Sequence, residues 1–200
     1  ASLAGVVFVP LFKTLLHRAR PIPMYQGADG FSFPSGHSTL ATIIFGLLAL
    51  GFYMSDLPLS PDKLQYYAWH KWAGVSVFAL VWLRLAWRIT HRPPALPASM
   101  PAHMQWAAHA GHFALYALMI AIPLSGWLMS SAKGVQTVWF GVLPIPDLLS
   151  KDKELGHTLA ELHEALNIGL LLLIAGHAAA ALFHHFFHKD DTLRRMLPSR

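Results

Sequence analysis

The 200-residue sequence predicts an all-α integral membrane protein: a four-transmembrane-helix bundle with an extra amino-terminal helical segment. Three observations lead there. Hydrophobic residues make up 54% of the chain and charged residues only 12%, about half the charged share of a soluble domain. Four apolar runs each reach the ~20 helical residues that cross a ~30 Å hydrocarbon core. The basic residues collect at the ends of these runs, in alternate connections, as short loops retained in the cytoplasm do.

Taken in order, Ala1 to Phe12 is apolar but too short to span unaided, and reads as the tail of a longer helix or an interfacial segment. The first span runs from Pro34 to Met54, with no charge until Asp56. Pro34 suits a first helical turn, where its missing N–H costs nothing. The second runs from Leu64 to Arg88, with His70 and Lys71 near its start and Arg84 near its end. The third, Met104 to Ala132, contains no Asp, Glu, Lys or Arg. The fourth, Gly156 to Phe187, is charge-free from Ala165 through Phe183 and contains His177.

One set of connections carries Lys13, Arg18 and Arg20, then Arg88 and Arg92, then Lys189, Arg194, Arg195 and Arg200. The other set, Ser55 to Lys63 and Lys133 to Glu154, balances acidic against basic residues. The first set is therefore predicted to face the cytoplasm, with both termini. Pro93, Pro94, Pro97 and Pro101 mark a stiff connector, and Pro144 and Pro146 break up the long outer loop. Neither a cleavable signal peptide nor an internal repeat is visible. The formal charge of +5 forms no continuous stripe, which argues against a nucleic-acid partner and for membrane lipid.

Zero cysteines exclude a disulfide-stapled module, an iron–sulfur protein and a thiolate zinc site. Any metal must be held by nitrogen or oxygen, and thirteen histidines outnumber the ten acidic residues. His163 and His177 lie fourteen residues apart in the fourth span. Their rings point to nearly the same side, ~21 Å apart along the axis, a spacing that suits two stacked haems. Each six-coordinate haem needs a second axial ligand at matching depth on another helix. His70 is at the depth of His163, giving an outer pair. His177 is deeper, giving an inner pair with His37, or with His109 or His112.

His103, His157, His184, His185 and His188 fall near span ends, where interfacial solvation is the expected role. Trp69, Trp72, Trp106, Trp127 and Trp139 read as an aromatic belt. Arg84 and Arg88 suit either pairing with haem propionates or snorkelling to the inner surface. Lys63, Lys71 and Lys133 could draw a small anion to the outer haem.

From about Leu48 to Pro198 the chain resembles the bacterial cytochrome b561 family of four-helix di-haem membrane proteins. The resemblance rests on "LALGFYMSDLPLSPDKLQYYAWHKWAGV", "RLAWR" followed by "RPP", "HAGHFALYALMIAIPLSGWLMSSAKG" and "LHEALNIGLLLLIAGHAAAALFHHFFHKDDTLRRMLP". It implies His70, His163 and His177 as ligands of two haems b. It places the fourth ligand near the start of the first span, where His37 lies fourteen residues before Gly51, although Ser38 stands where the family has Trp. The resemblance further implies a bacterial inner membrane, an outer-face donor, superoxide in one known activity, and ubiquinone as acceptor.

The front of the chain is similar to a different family. Lys13, then Arg20-Pro21, then "FSFPSGHSTLATIIFGLLAL" match two of the three motifs of the type-2 phosphatidic acid phosphatases. There Lys13, Arg20 and Ser35 would hold phosphate and His37 would be a general acid. The third motif, with its nucleophilic histidine, is absent. Residues 1–33 are accordingly read as a phosphatase-like segment and 34–200 as the haem-binding membrane domain. The alternatives to a cytochrome are a phosphatase-like membrane protein and a haem-bearing membrane subunit of a larger oxidoreductase.

Overall fold

The computed structural model describes residues 36–90, 101–183 and 186, with side chains from residue 40 onward. Lys13, Arg20 and Ser35, and with them the phosphatase-like segment, lie outside the described residues, as do His184, His185 and His188. Among the described residues four helices follow one another: α1 (Gly36–Asp56), α2 (Pro61–Thr90), α3 (Ala102–Ala132) and α4 (Lys153–Phe183). Between α3 and α4 stands a short hairpin, β1 (Val138–Trp139) and β2 (Leu143–Pro144). Among the described residues α2, α3 and α4 are long and apolar enough to cross a membrane, and α1 adds a shorter apolar stretch, Leu40–Asp56. The chain is thus a mostly helical integral membrane protein.

Local chemistry sets the helix ends. Ser60 caps α2 by accepting the Lys63 N–H on its hydroxyl at 3.2 Å, with Pro61 next and Asp62 in the first turn, which complements the helix dipole. Asp152 caps α4, its carboxylate accepting the Leu155 N–H at 3.0 Å. The end of α3 closes by a Schellman pattern. The Val135 N–H reaches the Ser130 carbonyl at 3.0 Å and the Gly134 N–H the Ser131 carbonyl at 2.9 Å. Gly134 takes the required left-handed φ of 69°.

Neighbouring helices are antiparallel. Lys63 Nζ donates to the Ser55 carbonyl at 3.1 Å across the α1–α2 turn, and Tyr53 meets Tyr66 edge-on. The closest packing joins α3 to α4. There Ser125, Ser130, Ser131 and Ala132 are buried, and a Cβ on Gly156 would come within 3.4 Å of the Lys133 nitrogen. Small residues let two membrane helices approach this closely when no water is present to drive apolar association. Val77 and Val81 of α2, Leu48 and Met54 of α1 and Leu170 of α4 fill the narrow centre. Large apolar side chains such as Phe45, Trp82 and Leu172 point outward, toward what is lipid for a membrane bundle.

The hairpin and the α1–α2 turn lie at the same end of the bundle, here called the hairpin end. The hairpin was not foreseen in the sequence, where Pro144 and Pro146 marked only a broken loop. Its turn places Phe140 at φ 51° and Gly141 at φ 73°, with the Val142 N–H on the Trp139 carbonyl at 3.1 Å.

Candidate functional site

The four helices carry their distinctive residues at two levels. Toward the hairpin end stand Gly51, His70, Gly126 and His163, one from each helix. Fourteen residues away along each helix, toward the opposite end, stand His37, Arg84, His112 and His177. Fourteen residues rise ~21 Å, so the antiparallel bundle repeats the same interval four times.

At the first level the His70 and His163 rings face each other, centroids 6.4 Å apart and planes at 82°. Two imidazole nitrogens sharing one iron at about 2 Å each put the ring centroids roughly 6–6.5 Å apart. The centroid separation therefore matches that of two imidazoles sharing one iron. Glycine on both flanking helices makes room for them. A Cβ on Gly126 would stand 3.1 Å from His163 Cε1, and one on Gly51 would stand 3.4 Å from His70 Cε1.

His163 has a defined tautomer. Its Nδ1 lies 3.1 Å from the Ile122 carbonyl oxygen and 3.0 Å from Ser125 Oγ. That hydroxyl itself donates to the same carbonyl at 2.8 Å. A carbonyl only accepts, so Nδ1 carries the proton and Nε2 keeps its lone pair. A backbone carbonyl on one ring nitrogen is the arrangement that fixes and strengthens a metal-ligating histidine. His70 Nδ1 is buried with no hydrogen-bond partner. A buried ring nitrogen left in this state is costly in an all-protein environment.

At the second level His112 and His177 lie with centroids 5.7 Å apart and planes at 57°. The sequence offers His112 as an alternative to His37 as the partner of His177. The side chain of His37 lies outside the described residues. Arg84 Nε donates to Tyr116 Oη at 2.9 Å, and the Arg88 guanidinium lies 5.4 Å from the Tyr116 ring centroid. Tyr116 is one turn from His112, so both arginines gather beside the second histidine pair.

Among the described residues no three His, Asp or Glu side chains converge on one point, which leaves paired imidazoles as the donor sets. His157 forms an exposed pair with Glu161 at 3.5 Å, in keeping with its place near a helix end. Lys63 and Lys71 are engaged with the chain itself, Lys71 Nζ donating to the Val135 carbonyl at 3.1 Å. The sequence reading missed Ser125, Gly126, Gly51 and Tyr116. The first two carry a visible signal, a Ser-Gly step in the charge-free third span.

Residues 35–199 match the family described as prokaryotic cytochrome b561. The chain is 35% identical over 168 residues to cytochrome b561 homolog 2 of Escherichia coli (strain K12), covering 80% of this chain and 86% of that protein. It is 36% identical over 132 residues to cytochrome b561 homolog 1 of the same organism, covering 66% and 74%. It is 31% identical over 141 residues to the probable superoxide oxidase CybB of Yersinia pestis, covering 68% and 79%.

Proposed function

Because the chain belongs to the prokaryotic cytochrome b561 family of multi-pass, haem-binding membrane electron-transfer proteins, we propose that it is a di-haem b cytochrome. It carries electrons between a donor at the hairpin end, with superoxide as candidate, and ubiquinone in the membrane. Each haem supplies a one-electron iron couple, while the chain holds and insulates it. The observation that carries this reading is the His163 ring, fixed by the Ile122 carbonyl and aimed at His70 across 6.4 Å.

His70 and His163 hold the first haem. Ser125 and Ile122 orient His163, and Gly51 and Gly126 keep the space beside both rings open. His177 holds the second haem with His37 from α1, which lies at its depth. Arg84, steadied by Tyr116, is placed to pair with a carboxylate of that haem. A second reading puts His112, which lies 5.7 Å from His177 between ring centroids, in the place of His37.

The hairpin end faces outward and both termini face the cytoplasm of the bacterial inner membrane, in keeping with the basic residues at the opposite end. Residues 34–200 form the haem-binding unit and residues 1–33 a separate segment. The relative named a probable superoxide oxidase supports a small anionic donor. Purified protein in detergent is expected to give two haems per chain by pyridine haemochrome. His37→Ala is expected to remove one of them, and retention of both with loss in His112→Ala would select the second reading. A chain with no haem at all would overturn the proposal.

A further inference from the structure

We propose that the hairpin between α3 and α4 is a membrane-seated strap that lies against α2 below the surface of its leaflet and presents Phe140, Val142 and Leu143 to lipid. The hairpin crosses the back of α2. Trp72 and Ser76, to which it is tied, lie about 200° and 240° around the helix from His70 at ~100° per residue, so the attachment is on the side away from the paired histidines. Trp72 Nε1 donates to the Val138 carbonyl at 2.6 Å. Trp139 Nε1 lies 3.2 Å from both the Trp72 carbonyl and Ser76 Oγ, and the Phe140 ring packs on Trp72 at 5.4 Å.

Depth along α2 locates these contacts. Arg88 in the last turn marks the opposite boundary, and ~30 Å of hydrocarbon counted back at ~1.5 Å per residue ends near residue 68. Trp72 then lies ~6 Å and Ser76 ~12 Å inside that boundary. A strap fastened to both residues cannot stand in bulk water.

The hairpin is built for such a place. From Gly134 through Pro146 it carries no charged residue, and Phe140, Val142 and Leu143 are 58%, 84% and 52% exposed. Several of its backbone groups are satisfied internally, as hydrocarbon demands of any polar group. The Val135 carbonyl takes Lys71 and Ser130, the Thr137 and Trp139 carbonyls take the N–H groups of Ile145 and Val142, and the Pro146 carbonyl takes Trp127 Nε1. Pro144 has no N–H to satisfy. Beneath Phe140 an open apolar groove continues along α2, past Trp69, Ala73 and Leu80 to Ile43 of α1, so the exposed hairpin face joins the lipid-facing surface of the spans without a polar break.

The absence of cysteine allows a single label to be placed at will. Val142→Cys and, as reference in the same connection, Lys151→Cys are each labelled with a polarity-sensitive fluorophore and reconstituted into phosphatidylethanolamine–phosphatidylglycerol vesicles. The Val142 label is expected to emit at shorter wavelength, to be quenched several-fold more by doxyl-labelled phospholipid than by aqueous iodide, and the Lys151 label to show the reverse. Equal quenching of both labels by iodide would overturn the proposal and leave the hairpin as a water-facing surface for a soluble partner. Haem content of both variants, unchanged from the parent, controls for folding.

Discussion

His70 of α2 and His163 of α4 stand with ring planes at 82° and centroids 6.4 Å apart, although they are ninety-three positions apart and their helices are not consecutive in the chain. The intervening α3 makes the meeting specific. It supplies the carbonyl and hydroxyl that fix one ring and the glycine that makes room beside it.

Replacing either ring by a methyl group therefore has a defined outcome. His163→Ala is expected to lose the haem at the hairpin end while the haem at His177 is kept, read as half the parent haemochrome per chain. Retention of both haems would sink the assignment of this pair.

The support of His163 is separable from the ligand. Ser125→Ala removes one partner of Nδ1 and leaves the Ile122 carbonyl. Loss of such an outer partner typically lowers metal affinity about 10–100-fold. The variant is expected to purify with full haem but to release it faster to an apo-globin acceptor, and an unchanged transfer rate would show that the hydroxyl has no part in holding the ring.

Space beside the ring is tested by Gly126→Val. A Cβ alone would stand 3.1 Å from His163 Cε1, and the added methyl groups crowd an imidazole held against α3 by Ile122 and Ser125. Haem at the first level is expected to fall well below one per chain, with the second level retained.

A stability prediction concerns the end of α3. Gly134 has φ 69°, and an added Cβ would lie 3.0 Å from Lys151 Cδ, a flexible neighbour that can move. The cost of Gly134→Ala thus comes mainly from the backbone, about 1–2 kcal/mol. Thermal unfolding followed by haem absorbance is expected to shift downward by a few degrees without change in haem content.

Much of this architecture is readable before folding. The spans follow from apolar runs bounded by charge, and the meeting of His70 with His163 follows from matching depth on α2 and α4. The neighbour of His177 is less legible, because His37 and His112 share its depth and depth alone cannot choose a helix. Ser125 is silent as a polar residue in an apolar run until the carbonyl and ring it joins are known. The hairpin is hidden for another reason. Its strands are two residues each, too short for any alternation to appear, and the positive φ at its turn falls on Phe140 as well as on Gly141.

The fourteen-residue interval also leaves a remainder. At ~100° per residue, fourteen steps fall about 40° short of whole turns, so His177 does not address the same direction as His163. The first ring meets α2 and the second meets α3. Shortening α4 by one residue between the two would swing the lower ring through a further ~100°, so the segment from 163 to 177 has its length fixed by angle as firmly as by distance.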